Sequence, residues 1–518
     1  MTTIQSQLRA PASVFRAFVA GGAFVAVASV IPAHGQVAIS GTSLNPDGGD
    51  PNSFTAVTAC NGAPQDGVLY RNSESEPHLA VNPLNPDNMI AGWHQDRWSS
   101  GGAQSLGTAY SYDGGATWTQ VVIPFTRCSG AAPGSASAFE RASDPWISFA
   151  PDGTAYYMAL VTDNSVNENA MVVARSADGG ATWSSPIVIA RSPAQDPTKR
   201  SLFHDKNTIT ADPHDTRFVY ATWTLFRTGF VSVVVARSTD GGLSWGPAKP
   251  IATMGSVAKA ELATFRQGAQ IVVLPDGTLL NAFYRSNFDF STGGGRLEQA
   301  VLRSVDRGQS WSRVDLPVAT FGRASAVDPE LGIPVRDASG LPSIAASRIS
   351  NRAYITWQAA NSQGHVGTYV SMSNDSGKTW SAGTRVNRGA GEEVQAFLPT
   401  VAVNNQGTVG VLFYDFRHDV LGDVPLSTDV HLSLFDENLI YLGERRLTPQ
   451  SFDLRMSALA RGYFPGDYVG LASVGTDFGA AFTRTNDVGT RAAWPPGSDG
   501  VVLDNRDRQS IVFVRQAP

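Results

Sequence analysis

Apolar residues in this chain come in short runs, and the runs come in pairs. Seven times an apolar stretch, a turn of Pro, Asp, Gly or Asn, and a second apolar stretch follow one another: "EPHLAVNPLNPDNMIAGW" (76–93), "DPWISFAPDGTAYYMAL" (144–160), "KNTITADPHDTRFVYATW" (206–223), "QIVVLPDGTLLNAFY" (270–284), "PSIAASRISNRAYITW" (342–357), "PTVAVNNQGTVGVLFY" (399–414) and "DYVGLASVGTDFGAAF" (467–482). Runs this short, bounded by turn residues and lacking helical periodicity, predict strand–turn–strand units. We name the paired strands A and B. A third apolar run, such as "MVVARS" (171–176), "VSVVVARS" (231–238) or "GTYVSMS" (367–373), predicts strand C, and the segment beyond it strand D. After the seventh pair only one clear strand follows, "SIVFVR" (510–515), so an outer strand is missing there.

Strand C runs into a repeated phrase. "SYDGGATW" (111–118) returns as "SADGGATW" (176–183), "STDGGLSW" (238–245), "SVDRGQSW" (304–311) and "SNDSGKTW" (373–380), all fitting S-x-D-x-G-x-x-W. The aspartates Asp113, Asp178, Asp240, Asp306 and Asp375 lie 65, 62, 66 and 69 residues apart, a period that holds a four-stranded unit with its loops. In such a turn the Asp accepts turn amides and the Gly takes a positive φ. Trp118, Trp183, Trp245, Trp311 and Trp380 then fold back over the hairpin as apolar plugs. The phrase resembles the Asp-box, or bacterial neuraminidase repeat, of sialidase-like β-propellers. A decayed sixth copy follows, with Asp436, Asn438 and Tyr441 in the Asp, Gly and Trp places.

That resemblance implies an all-β fold, a single β-propeller of four-stranded blades. Seven A–B pairs favour seven blades; six, as in sialidases proper, follow if one terminal pair packs outside the ring. We expect residues 76–518 to form the propeller and residues 36–75 to close it, with "QVAISGTS" (36–43) supplying the missing outer strand. Fifty-one Gly and thirty Pro agree with an all-β chain, and 42% apolar residues suffice for cores between blades.

Residues 1–35 carry Arg9 and Arg16, an uncharged run "AFVAGGAFVAVASVI" (17–31) and small residues at 33 and 35, which predict a secretory signal peptide. The run is short for a membrane span, so a soluble monomer, secreted or periplasmic, is expected. The net charge of −6 becomes −8 without that segment, and no basic run argues for nucleic acid. Cys60 and Cys128 are the only cysteines, and in an oxidising compartment they are candidates for one disulfide; two unpaired thiols are the alternative. No metal or other cofactor is expected, since clustered His/Cys spacing is absent and the oxygen-rich "NPDGGDPN" (45–52) reads as turns.

Antiparallel order puts the loop into A and the B–C loop on one face and the repeated turn on the other. The repeated turn is therefore read as structural, and chemistry is sought where A begins and B ends. Glu74, Glu76, Asp144, Asp205, Lys206 and Asp467 stand where A begins. "HQDRW" (94–98), Asp163, Arg227, "YRS" (284–286), "YDFRHD" (414–419) and "TRTND" (483–487) stand where B ends. Arginine forks at such a rim suit a carboxylate ligand, hence an acidic glycan or glycoconjugate; a merely solvated rim is the plain alternative.

The resemblance implies three Arg on a sugar carboxylate, a Tyr nucleophile assisted by a Glu, and an Asp as acid/base. Carried over, these roles fall to Arg97, Arg285 and Arg417, to Tyr468 with Tyr414 as its rival, to Glu261, and to Asp96. Sialidases begin their first blade with Arg-Ile-Pro, whereas Ser75, Glu76 and Pro77 occupy that place here. Two functions stay open: a retaining exo-glycosidase of the exo-α-sialidase type, or a propeller that binds a glycan or protein without catalysis.

Overall fold

The computed structural model describes residues 35–45, 67–132, 134–163, 167–194, 202–227, 230–252, 262–289, 294–492 and 501–518. Six units of four antiparallel strands, hydrogen-bonded in the order A-B-C-D, follow one another along the chain. The first is Ser75–Val81, Met89–Trp98, Ala103–Ser111 and Thr119–Val122; the second is Arg141–Phe149, Ala155–Asp163, Glu168–Ser176 and Ile187–Arg191. The third is Leu202–Ala211, Val219–Arg227, Phe230–Ser238 and Lys249–Ala252; the fourth is Leu262–Val273, Leu279–Asp289, Gly294–Ser304 and Leu316–Phe321. The fifth is Ser343–Ala346, Ala353–Ala360, Val366–Ser373 and Thr384–Arg385; the sixth is Ala396–Val403, Val409–Asp415, Ser427–Phe435 and Tyr441–Arg446.

A seventh sheet takes Gly470–Val474, Asp477–Thr485 and Gln509–Gln516 from the far end of the chain. Its outer strand is Val37–Ala38, with Val37 opposite Phe513. The seven A strands pack against one another in chain order, and Gly470–Val474 packs against Ser75–Val81. That cyclic order makes the fold a β-propeller. Gly67–Tyr70 runs beside the end of the first B strand, Leu69 opposite Trp98, and parallel to Val501–Asp504.

The core lies between blades. Ile90 and Leu106 of blade 1 share a cluster with Ile147 and Tyr157 of blade 2, and Met158 of blade 2 shares one with Trp223 of blade 3. Burying each such side chain is worth about 1.5–3 kcal/mol.

The repeated turns join C to D and are built alike. Ser111 Oγ donates to Asp113 Oδ1 (2.8 Å) and accepts from Gly115 N (3.0 Å), while Thr117 N and Oγ1 donate to the two Asp113 oxygens (2.9 and 2.6 Å). Asp178, Asp240, Asp306 and Asp375 repeat the pattern. Asp436 keeps the amide bonds alone, from Asn438 and Ile440 (2.9 and 2.7 Å). The five tryptophans are half-buried; Trp118 and Trp183 donate Nε1 to Gly115 O and Gly180 O (3.1 and 3.0 Å).

Each turn is also held by the preceding blade. Asn88 Nδ2 reaches Gly179 O (2.9 Å), Tyr156 OH reaches Gly241 O (2.9 Å), and Arg303 Nε reaches Ser376 O (2.7 Å). Gly115, at φ +90°, lies so near Phe513 that a Cβ would stand 2.1 Å from the ring. Only glycine fits there, and the contact seals blade 1 against blade 7.

Two long connections, 322–342 and 447–469, meet over the face opposite these turns. Arg336 N donates to Tyr463 O (2.8 Å) and Tyr463 N to Pro334 O (3.1 Å). Buried Arg455 grips Asp328 through Nε and Nη2 (2.7 and 2.8 Å), and Tyr463 OH bonds the same carboxylate (3.1 Å). Cys128, in the turn Arg127–Ser129, is disulfide-bonded, and Cys60 lies outside the described residues. Among the described residues no helix is long and apolar enough to cross a membrane.

Candidate functional site at the channel mouth

Where strand A begins, its register on strand B slips in five blades, between Ser75 and His78, Ser143 and Trp146, Asp205 and Thr208, Gln267 and Gln270, and Phe397 and Thr400. Inside each slip one residue has a positive φ: Glu76 (55°), Asp144 (56°), Lys206 (54°), Gly268 (77°) and Leu398 (52°). The left-handed region costs an ordinary residue about 1–2 kcal/mol. Three of the five are charged, so contacts at the channel must offset that strain.

Those contacts form one buried ionic cluster. Lys206 Nζ reaches Asp467 Oδ2 at 2.5 Å and Asp144 Oδ1 at 3.7 Å, and Arg336 Nη2 lies 3.2 Å from the same Asp467 oxygen. Burial alone would raise Asp467, but Arg336 and Lys206 hold it well below the usual carboxylate range. Burial would likewise lower Lys206, but Asp144 and Asp467 hold it above the ordinary lysine value. Glu76 Oε2 stands 3.0 Å from His94 Nε2, and Glu76 Oε1 accepts from Asp467 N at 3.2 Å. Burial pushes Glu76 up to about 8 and His94 well below its usual value. Arg97 and Arg336 each lie 4.5 Å from the ring centre of Phe464.

Beside this cluster opens a cavity of about 380 Å³, lined among others by Asp205, Lys206, Tyr284, Arg323, Arg336, Asp337, Arg461 and Asp467. Burial pushes Asp205 and Asp337 each up to about 6. Asp337 is locked by Gln358 Nε2 (2.7 Å) and the amides of Ala326 and Ser339, whereas Asp205 is partly exposed to the cavity. Arg323 and Arg461 are exposed, and among the described residues neither makes an ion pair. The opposite end of the channel is a recess of about 350 Å³ where Pro83, Pro151, Pro213 and Pro275 of the A–B turns meet.

Of the residues given clamp, nucleophile and acid/base roles, Arg285, Arg417, Tyr414 and Asp96 are engaged away from the cavity, whereas the charged residues where A begins come together. Glu76, Asp144, Asp205, Lys206 and Asp467 do meet at the mouth, with His94 and Arg97 beside them. Tyr468 sits in a smaller recess below the cavity, edge-on to Trp146 (5.4 Å), its hydroxyl 3.4 Å from Pro145 O. Burial, then the charges of Glu76 and Asp144, push that hydroxyl well above its usual pKa, which disfavours a phenolate nucleophile.

Asp96 is fully engaged elsewhere. It accepts from Ser43 Oγ, Asn45 Nδ2 and Asn72 N at 2.7–2.8 Å and from Gln95 Nε2 at 3.3 Å, and so pins the N-terminal segment rather than facing the cavity. Arg285 is held by Glu298 (2.8 Å), its cross-strand neighbour, and by Asp315 (3.1 Å), while Tyr284 beside it takes the cavity side. Arg417 is held by Asp415 and Glu444 within blade 6. Neither is therefore free to clamp a ligand beside Arg97. Tyr414 is fully buried, its hydroxyl spent on Thr483 O and N (2.9 and 3.0 Å), and Glu261 lies outside the described residues. Arg323, Arg336 and Arg461 carry no periodic signal in the sequence, because they belong to the two aperiodic connections.

No protein-family model and no curated protein matches the chain. Among solved structures, a protein of unknown function from Dyadobacter fermentans shares 15% identity, with 88% of this chain and 98% of that one covered and a TM-score of 0.42. An α-L-arabinanase from Penicillium chrysogenum, solved with arabinobiose, shares 13% over 73% of this chain and 99% of its own, TM-score 0.46. The Trypanosoma rangeli sialidase, solved with sialic acid, shares 14% over 87% of this chain and 57% of its own, TM-score 0.37.

Proposed function

We propose that the protein is an exported, glycan-directed propeller that binds a carboxylate-bearing sugar in the mouth cavity. The observation that carries this reading is the pair Arg323 and Arg461, exposed without a carboxylate partner on a cavity that Lys206 and Arg336 also line. A planar guanidinium fork suits a sugar carboxylate, and the volume falls in the range of small-ligand clefts. The Asp-box resemblance supports sialic acid as the first ligand to try, and the leader-like residues 1–35 support export. Titration with N-acetylneuraminic acid, glucuronic acid and their methyl esters tests it. The acids should bind and the esters at least about tenfold less well; equal binding of acid and ester would sink the reading.

Hydrolysis is the second reading, favoured by Asp205. A carboxyl partly open to the cavity and pushed up to about 6 suits a proton donor to a leaving oxygen. On this reading Asp205→Asn abolishes turnover of a fluorogenic sialoside or uronide and leaves binding in place. Wild-type protein that binds without turnover would leave the binding reading alone.

A further inference from the structure

Among the described residues, two groups of three metal-binding side chains come together although no motif announces them: Glu76 with His94 and Asp144, and His418 with Asp429 and His431, the ligand atoms of each group within 4.8 Å of one another. In the first group the Lys206 ammonium lies 3.7 Å from Asp144, and Arg97 and Lys206 both bear electrostatically on Glu76 and His94. Fixed cations already answer those carboxylates, which leaves a metal ion little to gain.

In the second group Arg446 likewise pairs with Asp429, but on Oδ1 alone (2.8 Å), and it is His431 that sets the group apart. His431 is 2% exposed, and neither ring nitrogen makes a hydrogen bond among the described residues. Carboxylate oxygens stand near without bonding, Asp415 Oδ1 at 3.5 Å from Nε2 and Glu444 Oε1 at 3.7 Å from Nδ1. A buried imidazole with both nitrogens idle forfeits the hydrogen bonds it had in water. Asp429 and His431 are two apart on strand C of blade 6 and share a face, and His418 arrives from the B–C loop, its Nδ1 2.7 Å from Asp429 Oδ2.

We propose that His418, Asp429 and His431 bind a divalent transition-metal ion of the Zn²⁺ class on the rim of blade 6. Two imidazoles and one carboxylate suit Zn²⁺, Ni²⁺ or Co²⁺ and leave a further position for water; all-oxygen cations such as Ca²⁺ and Mg²⁺ find too few oxygens. The surroundings orient the ligands. Arg446 (2.8 Å) and Thr448 Oγ1 (2.5 Å) hold Asp429 Oδ1, while Oδ2 accepts from Ser451 Oγ (2.8 Å) and faces His418 Nδ1. Once one His431 nitrogen takes the ion, the other can donate to Asp415 or Glu444, the usual support of a metal-bound imidazole. His418 is 43% exposed and offers the ion a way in.

The test is Zn²⁺ titration by calorimetry on the chelator-stripped exported protein, with Co²⁺ absorption to read geometry. One equivalent should bind, Co²⁺ should give tetrahedral bands, and excess Ca²⁺ should not compete. His418→Ala changes an exposed residue and should keep the fold, yet weaken Zn²⁺ at least about tenfold, as should His431→Gln where its melt shows a folded protein. No stoichiometric binding, or unchanged affinity in His418→Ala, overturns the proposal.

Discussion

The two ends of the propeller treat the same chemical group in opposite ways. At the repeated turns, carboxylates sit near water and are met by amides and hydroxyls; the Ser244 hydroxyl and amide and the Ser238 hydroxyl bring Asp240 down to about 2. At the mouth burial raises three carboxyls, Asp205 and Asp337 to about 6 and Glu76 to about 8, and only Asp467, between Arg336 and Lys206, is held low among the shifted carboxyls of the cluster. The turns repeat one solution five times, whereas the A-strand slips of blades 1–4 and 6 hold Glu, Asp, Lys, Gly and Leu in one backbone shape. Uniform residues with satisfied carboxylates mark an end that serves stability. Varied, strained and perturbed residues mark an end that is free to serve a ligand.

Lys206→Met should give the largest effect, because it strips the cation from Asp144 and Asp467 at the buried centre. Breaking a buried pair in this way costs on the order of 3–5 kcal/mol, read by urea denaturation. A loss below about 1 kcal/mol would mean that the cluster does not hold the mouth together.

Gly115→Ala attacks the other end. Its Cβ would meet Phe513 at 2.1 Å in a backbone at φ +90°, so a loss of about 3 kcal/mol is expected, with ligand affinity per folded molecule unchanged. Lost affinity at full stability would reverse the assignment of the two ends.

Asp337 sharpens the contrast through pH. Its folded pKa is raised to about 6 from an ordinary 3.8, so between those values the native state holds the extra proton. Its contribution to stability is therefore present below about pH 4 and lost as pH rises through 6. Asp337→Asn should remove that decline: relative to wild type, the variant gains about 2 kcal/mol at pH 7 over its standing at pH 4. A variant whose difference from wild type is the same at both pH values would contradict the raised pKa.

How much of this was legible depends on periodicity. The hairpins and the five turns repeat, and the acids and Lys206 where A begins follow from strand order alone. Strand order could not separate neighbours, since Asp96 has a φ of 60° that breaks the alternation between Gln95 and Arg97. The Arg285–Glu298 pair was open to reading once strands B and C were aligned, because the two residues are directly opposite. Arg323, Arg336 and Arg461 carry no such signal: their connections have no period, and tertiary contacts such as Arg455–Asp328 and Tyr463–Pro334 fold them over the mouth.

The most direct test is calorimetric titration of N-acetylneuraminic acid into wild type, into the double variant Arg323→Ala/Arg461→Ala, and into Gly115→Ala. Both arginines are exposed, so the double variant should melt within a degree or two of wild type. The expected result is affinity at least about tenfold weaker in the double variant and unchanged in folded Gly115→Ala. Equal affinity in wild type and the double variant, or loss in Gly115→Ala alone, would contradict a ligand site at the mouth.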